Sequence, residues 1–372
     1  MPTLTNRVLN RTLLARQHLL ARTDLDLAQL CEHLVGLQAQ DVRPPFVAAW
    51  NRIENFDPAV LDRALDDRSL VRITAMRGTV HLLTAADALR ITPHVQTQLD
   101  MIAGRRSFFD GVTVGLDLDE ARAAGASMFG DEARSGADLR ALAAEKWPDR
   151  DPRGMVPALL LLVPVVQVPP RGKWLRNDRP GWAAIETWLR SPTDDGYPVE
   201  ELVLRYLRAF GPASTADMQT WSRLTGLREV VDRLGDRVRS YRDEHGRTLY
   251  DVDDGALTDP ETPAPVRFLG WYDNVVLSHK HRNRIIDPRL ARLGEVRTNW
   301  AAVLVDGLAV ACYKVTRDGT RAVVAVHPAR RLTRAERSEI TAEARRIAAF
   351  VEPLAEAVDV CIARVGTPID PT

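Results

Sequence analysis

The amino-acid sequence predicts a mainly α-helical fold with β-hairpin wings (α+β): three winged-helix modules in tandem, then a small C-terminal β-rich domain. Two observations carry this expectation. Apolar spacing changes from a helical period to strand alternation three times, each time after a set of helices. Beyond the proline-rich stretch 259–265 the pattern shifts towards strands separated by Asp-Gly turns.

The first unit covers residues 1–115. Val8, Leu9, Leu13, Leu14, Leu19 and Leu20 recur at helical steps. A second helix is expected over 25–35, with Asp24 as cap and Gly36 as stop. A third follows Pro44-Pro45 and covers 46–53; Pro58 opens another through Val60, Leu61 and Leu65. Residues 69–74 and 79–83 then alternate as strands around Ala75-Met76-Arg77-Gly78, where the glycine supplies the positive φ of a hairpin turn.

The second unit, 116–195, contains a helix started by Ser135–Asp138, another over 153–162, and a ribbon over 165–175 with Arg171-Gly172 at its tip. The third, 196–258, has helices over 199–210, 215–224 and 227–234 and a ribbon of 238–241 and 248–252 around Glu244-His245-Gly246. Linkers are expected at 100–115, 175–182 and 259–265. In the last domain, 266–372, strands 301–305, 308–315 and 321–326 precede a helix over 334–358 and a strand over 360–365.

Composition bounds the function. A hydrophobic content of 45% with 27% charged residues is that of a folded chain. The longest apolar stretch, 155–166, is short and holds two prolines, so no membrane span is expected. The N-terminus carries charges through Arg22 and lacks a signal-peptide core, which points to a cytoplasmic, nucleoid-associated protein. Cys31, Cys312 and Cys361 sit among apolar neighbours and read as reduced core thiols. With no Cys-x-x-Cys and scattered histidines, neither a metal nor a cofactor is expected. The net charge of zero excludes a uniformly basic coat but permits a basic cleft. Arginine outnumbers lysine, which suits bidentate phosphate recognition; a G+C-rich genome produces the same bias.

Three units with Arg-Gly turns at two wing tips favour nucleic acid over a protein-docking scaffold. Between 280 and 297, Lys280, Arg282, Arg284, Arg289, Arg292 and Arg297 face only Asp287 and Glu295, a candidate phosphate track or else a solvated loop. In Gln38-Ala39-Gln40 the two amides share one side of an extended segment, and Gly36 ends the helix before them. Taken alone, such a pair is more often solvated surface.

Gln38-Ala39-Gln40, Met76–His81, Val168–Gly172 and Leu277–Arg284, in this order, resemble the AlkZ-like family of winged-helix DNA glycosylases, bacterial proteins that include resistance enzymes for DNA-alkylating antibiotics. The resemblance spans essentially the whole chain. It implies a C-shaped array of three winged helices and a catalytic Gln–apolar–Gln motif at Gln38 and Gln40. The implied partner is double-stranded DNA carrying alkylated purines, bound by a monomer without cofactor. Arg77, Thr79, His81, Arg171, Lys173, His279, Lys280, Arg282 and Arg284 are then the expected DNA contacts, with His81 alternatively a hydrogen-bonded core residue. Asp41 is a possible auxiliary base, or a cap.

Alkylation at N7 makes guanine a cationic leaving group, so two glutamine carbonyls that orient a water and complement an oxocarbenium-like centre suffice. No lysine lies near the motif, which implies a monofunctional glycosylase, and the Gln-x-Gln form leans towards bulky adducts or interstrand crosslinks. The alternative is a non-catalytic winged-helix regulator, although such proteins usually pair one module per subunit.

Overall fold

The computed structural model describes residues 1–130, 132–193, 195–292 and 300–367. Its first stretch runs β1 (Thr3–Leu4), α1 (Asn6–Arg16), α2 (Leu27–His33), β2 (Leu37–Gln38), α3 (Arg43–Arg52), α4 (Pro58–Asp66), β3 (Leu70–Thr74), β4 (Val80–Thr84). The cap of α2 is Asp26, not Asp24: its carboxylate accepts from Gln29 N while the Gln29 side chain accepts from Asp26 N. Next come α5 (Ala85–Ala103), α6 (Leu118–Phe129), β5 (Arg134–Ser135), α7 (Gly136–Lys146), α8 (Pro152–Leu162), β6 (Val165–Val168), β7 (Gly181–Ala184) and α9 (Ile185–Leu189).

Two expectations fail in this stretch. Helix α5 runs into the supposed linker, because Ala88, Ile91, Val95 and Leu99 form a buried stripe that carries it past Pro93. The second ribbon returns at β7, not over 173–175. Pro169 and Pro170 have no N–H to extend the ladder, so the chain leaves β6 and rejoins it at Val168↔Gly181.

The remainder is α10 (Val199–Phe210), α11 (Thr215–Ser222), α12 (Leu227–Leu234), β8 (Val238–Asp243), β9 (Thr248–Val252), β10 (Arg267–Phe268), α13 (Asn274–Leu277), α14 (Pro288–Arg292), β11 (Ala301–Val305), β12 (Leu308–Asp318), β13 (Arg321–Pro328), α15 (Arg334–Val351) and β14 (Ala357–Ile362). Helix α15 stops before the expected residue 358. Pro353 biases the preceding Glu352 out of the helical region, and Glu352 takes φ −127°, ψ 64°.

The strands form three sheets, ordered β1-β8-β9, β10-β11-β12-β13-β14 and β2-β4-β3-β6-β7-β5. The first two ribbons therefore share one sheet, joined antiparallel at Arg72↔Gln167 and Ile73↔Val166. The extreme N-terminus instead pairs in parallel with the third ribbon, Thr3 opposite Arg242. Helix α15 packs its buried Ile340, Ala344 and Ile347 on the C-terminal sheet, and Phe350 at its end stacks on Trp50 of α3. Beside that contact Arg52 and Asp273, both fully buried, make two hydrogen bonds of 2.7 and 2.9 Å. Helix α3 is thereby locked to the segment that leads into α13. Among the described residues no helix is long and apolar enough to cross a membrane.

Candidate active site

After α2, Val35 (φ 53°) and Gly36 (φ 91°) turn the chain into β2, which lies against β4 with Leu37 opposite Leu82 and Gln38 opposite His81. Ala39 N continues the ladder by donating to Val80 O at 2.8 Å. The Gln40 side chain then replaces the backbone: its Oε1 accepts from Val80 N at 2.9 Å. Gln38 is buried and Gln40 exposed. Gln38 Oε1 accepts from Arg77 Nη2 at 2.7 Å and from Thr79 Oγ1 at 3.3 Å.

Two residues that the sequence did not reveal hold the backbone of the motif. Arg72 Nη2 donates to Ala39 O at 2.8 Å. Asn274 Oδ1 accepts from Gln38 N at 3.3 Å while its Nδ2 donates to Gly36 O at 2.6 Å. Arg72 did carry a signal, a charged residue inside the apolar run Leu70-Val71-Arg72-Ile73. Nothing in its local sequence marks Asn274.

These partners fix the amide orientations, because guanidinium and backbone N–H groups only donate. Both carbonyls, expected to be free, are already engaged. Gln38 Oε1 takes the Arg77 hydrogen bond, while the single hydroxyl hydrogen of Thr79 is divided between it and Met76 O at 3.1 Å. The Gln38 Nε2 hydrogens are offered outward; Gln40 Oε1 retains one lone pair. His81 is buried beneath them. Its Nδ1 lies 2.9 Å from Thr79 O, so that nitrogen carries the proton and Nε2 faces Arg77 Nη2 at 3.3 Å. Burial, reinforced by Arg77, pushes its pKa down to about 3, leaving a neutral ring. Burial also brings the Arg77 guanidinium down to about 10, and the nearby Arg223 and Arg282 add to that.

The other expected contacts separate into distinct settings. Asp41 Oδ1 accepts from Val42 N at 2.5 Å and Arg43 N at 3.3 Å, a turn-forming role at the start of α3. Arg171 donates to Asn177 Oδ1 and Asp178 O, and Lys173 Nζ lies 2.6 Å from Asp66 Oδ1. Trp174 between them and α9 packs on Phe46 and Phe350, so this loop is fastened to α3, α4 and α15.

His279 and Arg284 are interior residues, a correction to their expected DNA contact. His279 Nε2 lies 3.1 Å from Phe210 O, and Arg284 donates to Pro212 O at 2.8 Å. They fit the loop to α10 instead of meeting a phosphate, and burial takes His279 down to about 3. Lys280 is exposed and Arg282 half-buried. Arg289 and Arg292 are exposed on α14, while Glu295 and Arg297 lie outside the described residues. Cys361 is exposed, unlike the buried Cys31 and Cys312. Among the described residues no group of three His, Cys, Asp or Glu is placed to hold a metal.

A family model described as "DNA glycosylase AlkZ-like" matches residues 31–350. The chain is 26% identical over 324 residues to a Streptomyces sahachiroi protein named interstrand DNA cross-link repair glycosylase, across 77% of this chain and 85% of that protein. The solved structure of the Streptomyces sahachiroi DNA glycosylase AlkZ superposes with a TM-score of 0.71 at 19% identity, covering 97% of this chain and 100% of that one.

Proposed function

The chain belongs to the AlkZ-like DNA glycosylase family, enzymes that hydrolyse an N-glycosyl bond, and we propose that it releases N7-alkylated guanine, including bulky or crosslinked adducts, through Gln38 and Gln40. The observation that carries this reading is the arrangement of the two amides on the edge strand β2 and the residues that follow it against β4, each anchored by a donor that sets its direction. The remaining lone pair of Gln40 Oε1 accepts one O–H of a water whose oxygen is then free to attack C1′. The Gln38 Nε2 hydrogens donate to an oxygen of the lesion nucleotide. As the C1′–N9 bond breaks, its electron pair neutralises the cationic purine, which leaves as free base. The water supplies the new C1′–O bond and gives its proton to solvent. Glutamine is no general base, so the reaction depends on the charge already on the alkylated base.

The preference for bulky adducts and crosslinks is supported by the name of the Streptomyces sahachiroi relative. We place the winged-helix units at 1–115, 116–195 and 196–258 and the β-rich domain at 266–372, in a monomeric cytoplasmic protein that takes duplex DNA. Arg77, Thr79, Lys280 and Arg282 are the DNA-facing members of the expected set.

The test is release of free base from a duplex carrying N7-alkylguanine, by the wild type and by the Gln38→Ala/Gln40→Ala protein. The expected result is release that falls by about 10²-fold or more in the variant with DNA affinity within twofold. Loss of affinity in step with activity would make the motif structural; no release by the wild type, with binding intact, would leave a regulator.

A further inference from the structure

Several well-covered arginines in this fold hold a carboxylate: Arg11 holds Asp306, Arg16 holds Asp251, Arg52 holds Asp273 and Arg205 holds Asp87, while Arg72, Arg267 and Arg284 are held by backbone carbonyls. On the side of the glutamine motif where Arg77 lies, three arginines come from three separate elements. Arg77 comes from the turn after β3, Arg223 from the end of α11 and Arg282 from the loop after α13. Among the described residues none of the three pairs with a carboxylate. Arg77 Nη1 lies 3.5 Å from Trp221 O in the last turn of α11, two residues before Arg223, while Nη2 is on Gln38. Arg223 itself caps α11 in the left-handed region (φ 66°) with its side chain exposed. Lys280 N donates to Asp217 Oδ1 of α11 at 2.9 Å, which holds the loop carrying Arg282 against the same helix that meets Arg77 and ends at Arg223. The charges of Arg223 and Arg282 add to the lowering of the Arg77 pKa.

We propose that Arg77, Arg223 and Arg282 form the seat of one backbone phosphate of the lesion-bearing strand. Uncompensated charge in a half-buried site is unfavourable until an anion arrives. A phosphodiester presents two non-bridging oxygens that match planar guanidinium forks. Arg77 spans the phosphate and Gln38, so the seat sets where C1′ of the attached nucleotide stands relative to the water on Gln40. The phosphate also offsets three positive charges that would otherwise oppose an oxocarbenium-like centre. The proposal rests on the glycosylase reading for the identity of that strand, and it adds Arg223, from the end of α11, to a site otherwise built from the first ribbon and the segment around α13.

Binding of a short undamaged duplex to the full chain, measured against NaCl concentration, tests it without requiring activity. Arg223→Ala is expected to weaken binding and to reduce the slope of log K against log salt by about 0.9, one phosphate contact. Arg223→Lys restores the slope, and Arg228→Ala, on the exposed face of α12 and paired with Asp232, leaves it unchanged. Should Arg223→Ala fail to fold, Arg282→Ala reads the same slope. A wild-type slope in Arg223→Ala and Arg282→Ala overturns the seat even if base release is intact. A lost contact in a protein whose wild type releases no base retains the seat and overturns the glycosylase reading. Thermal stabilisation by inorganic phosphate that needs Arg223, with an unchanged duplex slope, assigns the seat to free phosphate and overturns the DNA assignment.

Discussion

Two Arg-Gly dipeptides follow the first strands of two ribbons, and those strands lie side by side in one sheet. Arg77-Gly78 sits in a tight turn between β3 and β4; Arg171-Gly172 sits in a longer excursion between β6 and β7. Arg77 pairs with no acid among the described residues and faces Gln38 and His81. Arg171 is tied down locally through Nη1 to Asn177 Oδ1 and Asp178 O, and its neighbour Lys173 by Asp66. A cationic turn becomes available to a ligand where the fold withholds its local partners; where partners are supplied it fastens the chain to itself. Substituting each arginine in turn separates the two cases. Arg77→Ala frees the Gln38 amide to rotate and leaves its buried carbonyl with one weak donor. A loss of about 10²-fold in base release follows, as for removal of one oriented dipole. Arg171→Ala is expected to stay within twofold of wild type in single-turnover base release. Equal losses in the two variants would erase the distinction.

The glycines differ as much as the arginines. A Cβ on Gly172 (φ 97°) would lie 2.4 Å from Arg72 Cδ, and Arg72 is the residue that holds Ala39 O. Gly172→Ala is therefore expected to cost about 1–3 kcal/mol through overpacking, and to slow base release by displacing Arg72. A Cβ on Gly78 (φ 69°) would meet the flexible ends of Ile102 at 3.2 Å and Leu99 at 3.8 Å, so Gly78→Ala costs about 1 kcal/mol, the strain of a positive φ. Urea denaturation of both variants checks the order, which reverses if Gly172 is merely a surface turn.

What the sequence disclosed follows the same division between local and distant. The helices over 199–234 were legible nearly to the residue, because Gly211-Pro212, Ser214, Gly226 and Gly235 punctuate α10, α11 and α12 where each stops or starts. The second ribbon was not, since its return strand is Gly-Trp-Ala-Ala, with no β-branched residue to announce it. In the site, Gln38, Gln40, Arg77, Thr79 and His81 were legible together because one hairpin and the strand beside it carry them all. Asn274 reaches the motif across 236 residues of chain. Arg223 stands two residues beyond Trp221, whose carbonyl meets Arg77 where α11 docks on that turn. Neither relation leaves any periodicity or spacing to read.

Protonation sharpens the comparison further, with the smallest expected effect on catalysis. Between His94 and His245 the sequence contains no histidine, so acid sensitivity belongs to the first ribbon and to the interior around His18, His33 and His279, not to the second ribbon. His81 and His279 are held down to about 3 and His18 to about 4 by burial. An unfolded histidine titrates at about 6.5. As pH falls below that value the unfolded chain takes up protons that the folded protein refuses, so stability is full above pH 6.5 and declines below it. Each such group contributes a slope of about 1.4 kcal/mol per pH unit in that window. His81→Asn removes one group's share, a difference measurable as a shallower fall in unfolding free energy between pH 6 and 4 than the wild type shows. Base release by the wild type stays level from pH 6.5 to 9, because His81 remains neutral there. An inflection near pH 6.5 that disappears in His81→Asn would instead make this ring a proton carrier in the site, and would end its reading as a fixed acceptor for Arg77.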